Sequence, residues 1–139
     1  MEISIKKKQL HIGRQTKTKK AIVDILSKNC CLLHKNELIE EIKKQKITPN
    51  RSTIYRELKT LEKNDFISKS TILGNDYYEI LQDHHHHHII CLKCNKIESF
   101  NACKYNLIVN EIKNKIHGFA EIKNHSFELF GICNYCNKK

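Results

Sequence analysis

Residues 50–81 read NRSTIYRELKTLEKNDFISKSTILGNDYYEIL, and the change of hydrophobic period inside this stretch decides the fold. Ile54, Leu58 and Leu61 recur at i, i+4 and i+7, one face of a helix, while Arg51, Ser52, Tyr55, Arg56 and Lys59 fall elsewhere. Asn50 or Ser52 can cap that helix, which runs to about Asn64, and Pro49 disfavours helix at Thr48. After Asp65 the pattern becomes two short β-like runs, 66–72 and 77–81, around a turn of Leu73, Gly74, Asn75 and Asp76.

Working back from this stretch, two more helices precede it. Thr16 or Thr18 can cap a helix carrying Ile22, Val23, Ile25 and Leu26 and ending near Asn29. A second runs from about His34 to Lys44, with Leu38, Ile39 and Ile42 at helical spacing beside Glu37, Glu40 and Glu41. Three short helices and a hairpin predict a winged helix-turn-helix over residues 1–82, whose third helix is the one to enter a major groove. Lys6, Lys7, Lys8 and Arg14 form a basic arm ahead of it.

Working forward, residues 83–139 predict a small α/β domain, so the whole chain is α+β. Its elements are a His-rich strand (84–91), a strand at 96–100, a helix over 104–116 bearing Ile108, Ile112 and Ile116, and strands near 119–123 and 125–132. Gly118 suits the C-terminal cap of the helix. The two domains would each have a thin core that metal or dimerisation could supplement.

Lys and Arg total 25 against 15 Asp and Glu, a net +10 that suits a polyanion such as DNA or RNA without setting the fold. The Lys-rich start has no apolar segment of signal-peptide type, and no apolar run approaches the about 20 residues needed to cross a bilayer. A reducing cytoplasm and no membrane partner are expected.

Cys91-Leu-Lys-Cys94 and Cys133-Asn-Tyr-Cys136 are two C-x-x-C knuckles whose thiolates can close a tetrahedral, structural Zn2+ site. A pair of disulfides is the competing reading, which a reducing compartment disfavours, and a thioredoxin-like pair would use only one knuckle. Cys30, Cys31 and Cys103 are left over and read as buried small hydrophobes. In the run His84–His88, strand alternation sends 84, 86 and 88 one way and 85 and 87 the other, so two sites can share one strand. Imidazole binds Zn, Fe, Mn and Ni ions alike, and a carboxylate such as Glu79 shifts preference toward harder ones. The plain alternative is a solvated polar edge with adventitious affinity.

Three stretches, 52–58 (STIYREL), 85–94 (HHHHIICLKC) and 124–133 (NHSFELFGIC) with Cys136, resemble the ferric uptake regulator family over nearly the whole chain. The resemblance implies a homodimer that binds a palindromic DNA operator when metal-loaded, usually repressing genes of metal uptake or of the metal and oxidative stress response. It implies DNA contacts from the recognition helix, Arg51, Ser52, Thr53, Tyr55 and Arg56, and from Lys19. Tyr55 would touch a thymine methyl and the arginines phosphate or guanine. It implies a regulatory divalent ion, Fe2+, Zn2+ or Mn2+, between the domains, held by Glu79, His86, His88 and a histidine at the start of the second helix. Leu32 or Leu33 occupies that last place, with His34 adjacent as ligand or helix cap, and a further family carboxylate falls on Ser99, next to Glu98. The family's second His-rich site matches at His85 and His125, with His87 for the usual Asp and Asn106 for the usual Glu, which favours a nitrogen-rich site. Metal bridging the wing end to the dimer domain would fix the angle between two DNA readers.

Three other functions compete: a constitutive DNA-binding regulator with structural zinc only, a metal-dependent hydrolase, and a zinc-ribbon RNA binder. The hydrolase needs an open zinc position and a nearby base, which four cysteines do not leave, so no enzyme is expected. An RNA platform would show clustered stacking aromatics, and here aromatics are 7%.

Overall fold

A computed structural model describes residues 13–29, 31–81 and 85–139. Lys6, Lys7, Lys8, Cys30, Gln82, Asp83 and His84 of the sequence reading lie outside the described residues. The chain divides into two compact units, 1–83 and 84–139.

In the first unit Thr16 accepts the backbone N–H of Lys19 and starts α1 (Lys17–Lys28). β1 (Leu33–His34) leads into α2 (Lys35–Lys44), and α3 (Arg51–Lys63) opens on Asn50, whose Oδ1 accepts the N–H of Thr53 at 2.8 Å. Each cap satisfies a backbone donor that the first helical turn leaves open. Ile22, Ile25 and Leu26 of α1 pack with Leu38, Ile39 and Ile42 of α2 and with Ile54, Leu58 and Leu61 of α3, and the hairpin adds Ile67 and Tyr78. β2 (Ile67–Ile72) and β3 (Asn75–Ile80) are antiparallel, and β1 pairs with the other edge of β3.

The hairpin turn is tighter than the four residues expected. Ile72 pairs with Asn75, so only Leu73 and Gly74 turn the chain, with φ of 50° and 79°. Two left-handed residues match the twist of the flanking strands. Asn75 and Asp76, good turn formers by composition, are drawn into the ladder instead.

In the second unit β4 (His87–Cys91) is central, with β5 (Ile97–Phe100) antiparallel on one side and β6 (Glu128–Gly131) parallel on the other. α4 (Tyr105–Lys115) makes the connection, and α5 (Asn134–Asn137) carries the tail. The α+β architecture of winged helix and small mixed domain is the one the periodicity predicts. Two details differ. No strand forms at 119–123, where Phe119 is 77% exposed and no β ladder is available. Gly118 is not the cap of α4, because the helix ends on extended Ile116, two residues earlier.

Candidate metal centres and the exposed face of helix α3

The two Cys knuckles converge. β4 ends at Cys91, and the chain turns back through Asn95 (φ 59°), whose N–H donates to the Cys91 carbonyl at 2.9 Å. Cys133 caps α5, and Cys136 lies one turn on, its N–H donating to Cys133 Sγ at 3.5 Å. All four sulfurs lie within 4.8 Å of one another, and Cys94 and Cys133 are 3.7 Å apart. Four sulfurs about 2.3 Å from a tetrahedral zinc are separated by about 3.8 Å, so the donor set and its spacing fit that ion. Backbone N–H groups, above all that of Cys133 at 3.3 Å, bring the Cys91 thiol down to about 6. Burial, with the neighbouring sulfurs, pushes Cys136 up to about 12, a shift that a cation among the four sulfurs would oppose.

The histidines sort by alternation. His86 and His88 lie edge to face, ring centroids 4.9 Å apart. His85 and His87 face the other group, with 2.9 Å between their Nε2 atoms. His125, from the segment ahead of β6, comes within 4.5 Å of the His85 ring. The fourth member is Cys103, whose Sγ lies 3.5 Å from His125 Nε2. Cys103 is thus not a buried hydrophobe, as its isolation in the sequence suggested. Its position just before α4, near the Asn106 position, was the available signal. His87 is buried, which together with the charge of His85 lowers its pKa and favours the neutral imidazole that a metal requires.

Two expected residues are placed otherwise. His34 is the N-cap of α2: its Nδ1 accepts the N–H of Asn36 at 3.1 Å, and Glu37 returns the bond in a capping box. Its Nε2 faces Asn75 Oδ1 at 3.4 Å, and no cluster of ligating groups among the described residues includes it. The cap takes Nδ1 and Asn75 faces Nε2, so an ion at either nitrogen would displace a partner. Lys19 is also relocated. It is buried, 3.6 Å from Glu57 Oε2 and donating to the Arg14 carbonyl at 3.1 Å, because the Glu57 carboxylate on the inner side of α3 needs a cation. It therefore presents no ammonium to a DNA surface. Glu79 is buried on β3, opposite Ser68.

On the outer side of α3, Arg51, Ser52, Tyr55 and Arg56 are exposed and Thr53 is half-buried. The exposed set carries two guanidinium groups and an aromatic ring on a helix whose opposite side holds Ile54, Leu58 and Leu61 in the core.

The sequence pattern of the ferric uptake regulator family matches residues 12–130. The chain belongs to the ferric uptake regulator family. The ferric uptake regulation protein of Helicobacter pylori is 31% identical over 139 residues, covering 99% of this chain and 89% of the relative. The solved structure of the Helicobacter pylori ferric uptake regulator, described as having three functional metal binding sites, superposes with a TM-score of 0.78 at 30% identity. It covers 91% of this chain and 83% of that one. The ferric uptake regulator of Francisella tularensis, solved with iron, gives 0.75 at 27% identity over 89% of this chain and 94% of that one. Ferric uptake regulators are metal-responsive, DNA-binding transcription regulators and not enzymes. No helix among the described residues is long and apolar enough to cross a membrane.

Proposed function

We propose that this chain is a cytoplasmic, homodimeric transcriptional repressor that binds a palindromic operator when a regulatory divalent ion is bound, and that it controls genes of metal uptake or of the metal and oxidative stress response. The observation that carries this reading is the pairing, in one family member, of a winged helix exposing Arg51, Tyr55 and Arg56 with a unit built around metal-ligating side chains. Cys91, Cys94, Cys133 and Cys136 hold structural Zn2+. Glu79, His86 and His88 hold the regulatory ion, Fe2+, Zn2+ or Mn2+, without His34, and His85, His87 and His125 form a further site. Ion binding shifts the population toward the DNA-reading arrangement.

Dimerisation is supported by the apolar surface of the second unit, where Leu107, Ile108, Phe119, Phe127, Phe130 and Ile132 are each at least 43% exposed. In the operator, Tyr55 contacts a thymine methyl, Arg51 and Arg56 contact phosphate or guanine, and Ser52 and Thr53 contact the backbone. Neutralising about six phosphates gives a log–log salt slope of about −5.

The test is anaerobic fluorescence anisotropy on a promoter fragment from the gene's own neighbourhood, with zinc-replete protein titrated by Fe(II), Mn(II), Zn(II) or Ni(II). Tightening of about tenfold, roughly 1.4 kcal/mol of coupling, by one ion is expected and names that ion. Tight binding indifferent to all four would favour the constitutive regulator with structural zinc alone, a reading to which the capping role of His34 lends weight.

A further inference from the structure

Cys103 stands among three imidazoles, and its surroundings are those of a ligand. Its Sγ is 3.5 Å from His125 Nε2. A tetrahedral ion with arms of about 2.3 Å to sulfur and about 2.05 Å to nitrogen separates those two donors by about 3.6 Å, and two nitrogens by about 3.3 Å. The 2.9 Å between His85 Nε2 and His87 Nε2 lies a few tenths of an ångström inside that span. All four donor atoms lie within 4.8 Å of one another.

The surroundings also orient the rings. His87 Nδ1 lies 3.1 Å from the Phe127 carbonyl. A carbonyl only accepts, so Nδ1 carries the proton and Nε2 turns its lone pair toward the cluster, the arrangement usual for a metal-bound histidine. His125 stacks on Tyr105 at 4.1 Å and 15°, and the Tyr105 hydroxyl donates to the Ile122 carbonyl at 3.4 Å. Tyr105 opens α4, so the helix start that follows Cys103 also fixes His125.

We propose that Cys103 is the fourth ligand of this site, making it a closed centre of three imidazoles and one thiolate that takes a thiophilic, four-coordinate ion of the zinc class and discriminates against the harder Fe2+ and Mn2+. The proposal rests on the reading of His85, His87 and His125 as a metal site and adds to it the sulfur donor and the ion class. The donor set contains no carboxylate oxygen, and soft sulfur with borderline nitrogen prefers zinc to harder ions. On binding, the Cys103 thiol releases its proton to solvent and the ion takes the thiolate. With all four tetrahedral positions filled by protein there is no open position for water, so the centre is structural or sensory.

The experiment uses full-length, reduced protein with zinc in the four-cysteine site, titrated anaerobically with Co2+ and, in competition, with Zn2+. Cobalt is expected to give a thiolate-to-cobalt charge-transfer band in the near ultraviolet, with the zinc content of the four-cysteine site unchanged. An ion at Glu79, His86 and His88 gives no sulfur band and is separated by that absence. Cys103→Ser is expected to abolish the band and weaken zinc at this site by about 100-fold or more, beyond the usual cost of losing an outer-shell partner. Should that variant fold poorly, zinc protection of Cys103 against alkylation in the wild-type chain, lost in His125→Ala, reads the same contact by mass spectrometry. Cobalt binding at His85, His87 and His125 without a sulfur band, or zinc affinity unchanged in Cys103→Ser, would overturn the Cys103 assignment alone. Absence of any ion at these histidines would overturn the underlying site as well.

Discussion

The first unit buries Ile22, Leu26, Leu38, Ile42, Leu61 and Ile67 almost completely, whereas among the described residues the second, besides Ile90, buries only side chains ending in imidazole nitrogen or in sulfur: His87, His88, Cys91 and Cys136. Its helix α4 buries no residue at all. One half is packed around an apolar core. The other offers ligating groups where a core would be and leaves many of its apolar side chains on the surface. On the proposed function, metal binding and self-association would be conditions of order for the second half. A regulator that responds to an ion would gain from this division, because the proposed ion sites draw their histidines and cysteines from the second half.

The largest expected effect falls on the second unit. Cys136→Ser should remove the structural zinc, a loss of about 10 kcal/mol or more of apparent binding free energy. The variant should run as a monomer by light scattering while keeping the helical signal of residues 17–63. Next comes Glu57→Ala in the first unit, which removes the carboxylate facing the buried Lys19 ammonium and the acceptor for Thr16 Oγ1 at 3.0 Å. A loss of about 3–5 kcal/mol is expected in thermal or urea unfolding, with zinc content unaffected. Third, Arg56→Ala should weaken operator binding by about 1–3 kcal/mol in anisotropy without moving the unfolding midpoint, since its side chain lies outside the core. The smallest effect is a gain. Leu73→Asn, at a position held at φ 50°, should stabilise the hairpin by about 1 kcal/mol in the same unfolding assay.

Legibility followed the same division. Where burial alone selects the element, as for Ile54, Leu58 and Leu61 on α3, the hydrophobic period predicts the helix and its inner side. The tetrahedral cluster of Cys91, Cys94, Cys133 and Cys136 was equally readable, because C-x-x-C spacing is a local geometric constraint. What failed depends on tertiary partners. Lys19 reads as a basic surface residue until Glu57 is known to face it, and the sequence leaves His34 as ligand or helix cap until its ring nitrogen is seen accepting the Asn36 N–H. Cys103 has no partner in sequence at all, and only the fold brings it within 3.5 Å of His125. The strand expected at 119–123 follows from alternation without a ladder to join.

The most direct test of the account is hydrogen exchange by mass spectrometry on the full chain, with and without a strong chelator. Chelation should strip protection from peptides spanning 87–136 and leave those of α1, α2, α3 and the β2–β3 hairpin protected as before. Equal loss in both units, or no loss in either, would contradict the claim that ions hold one half of this regulator and an apolar core the other.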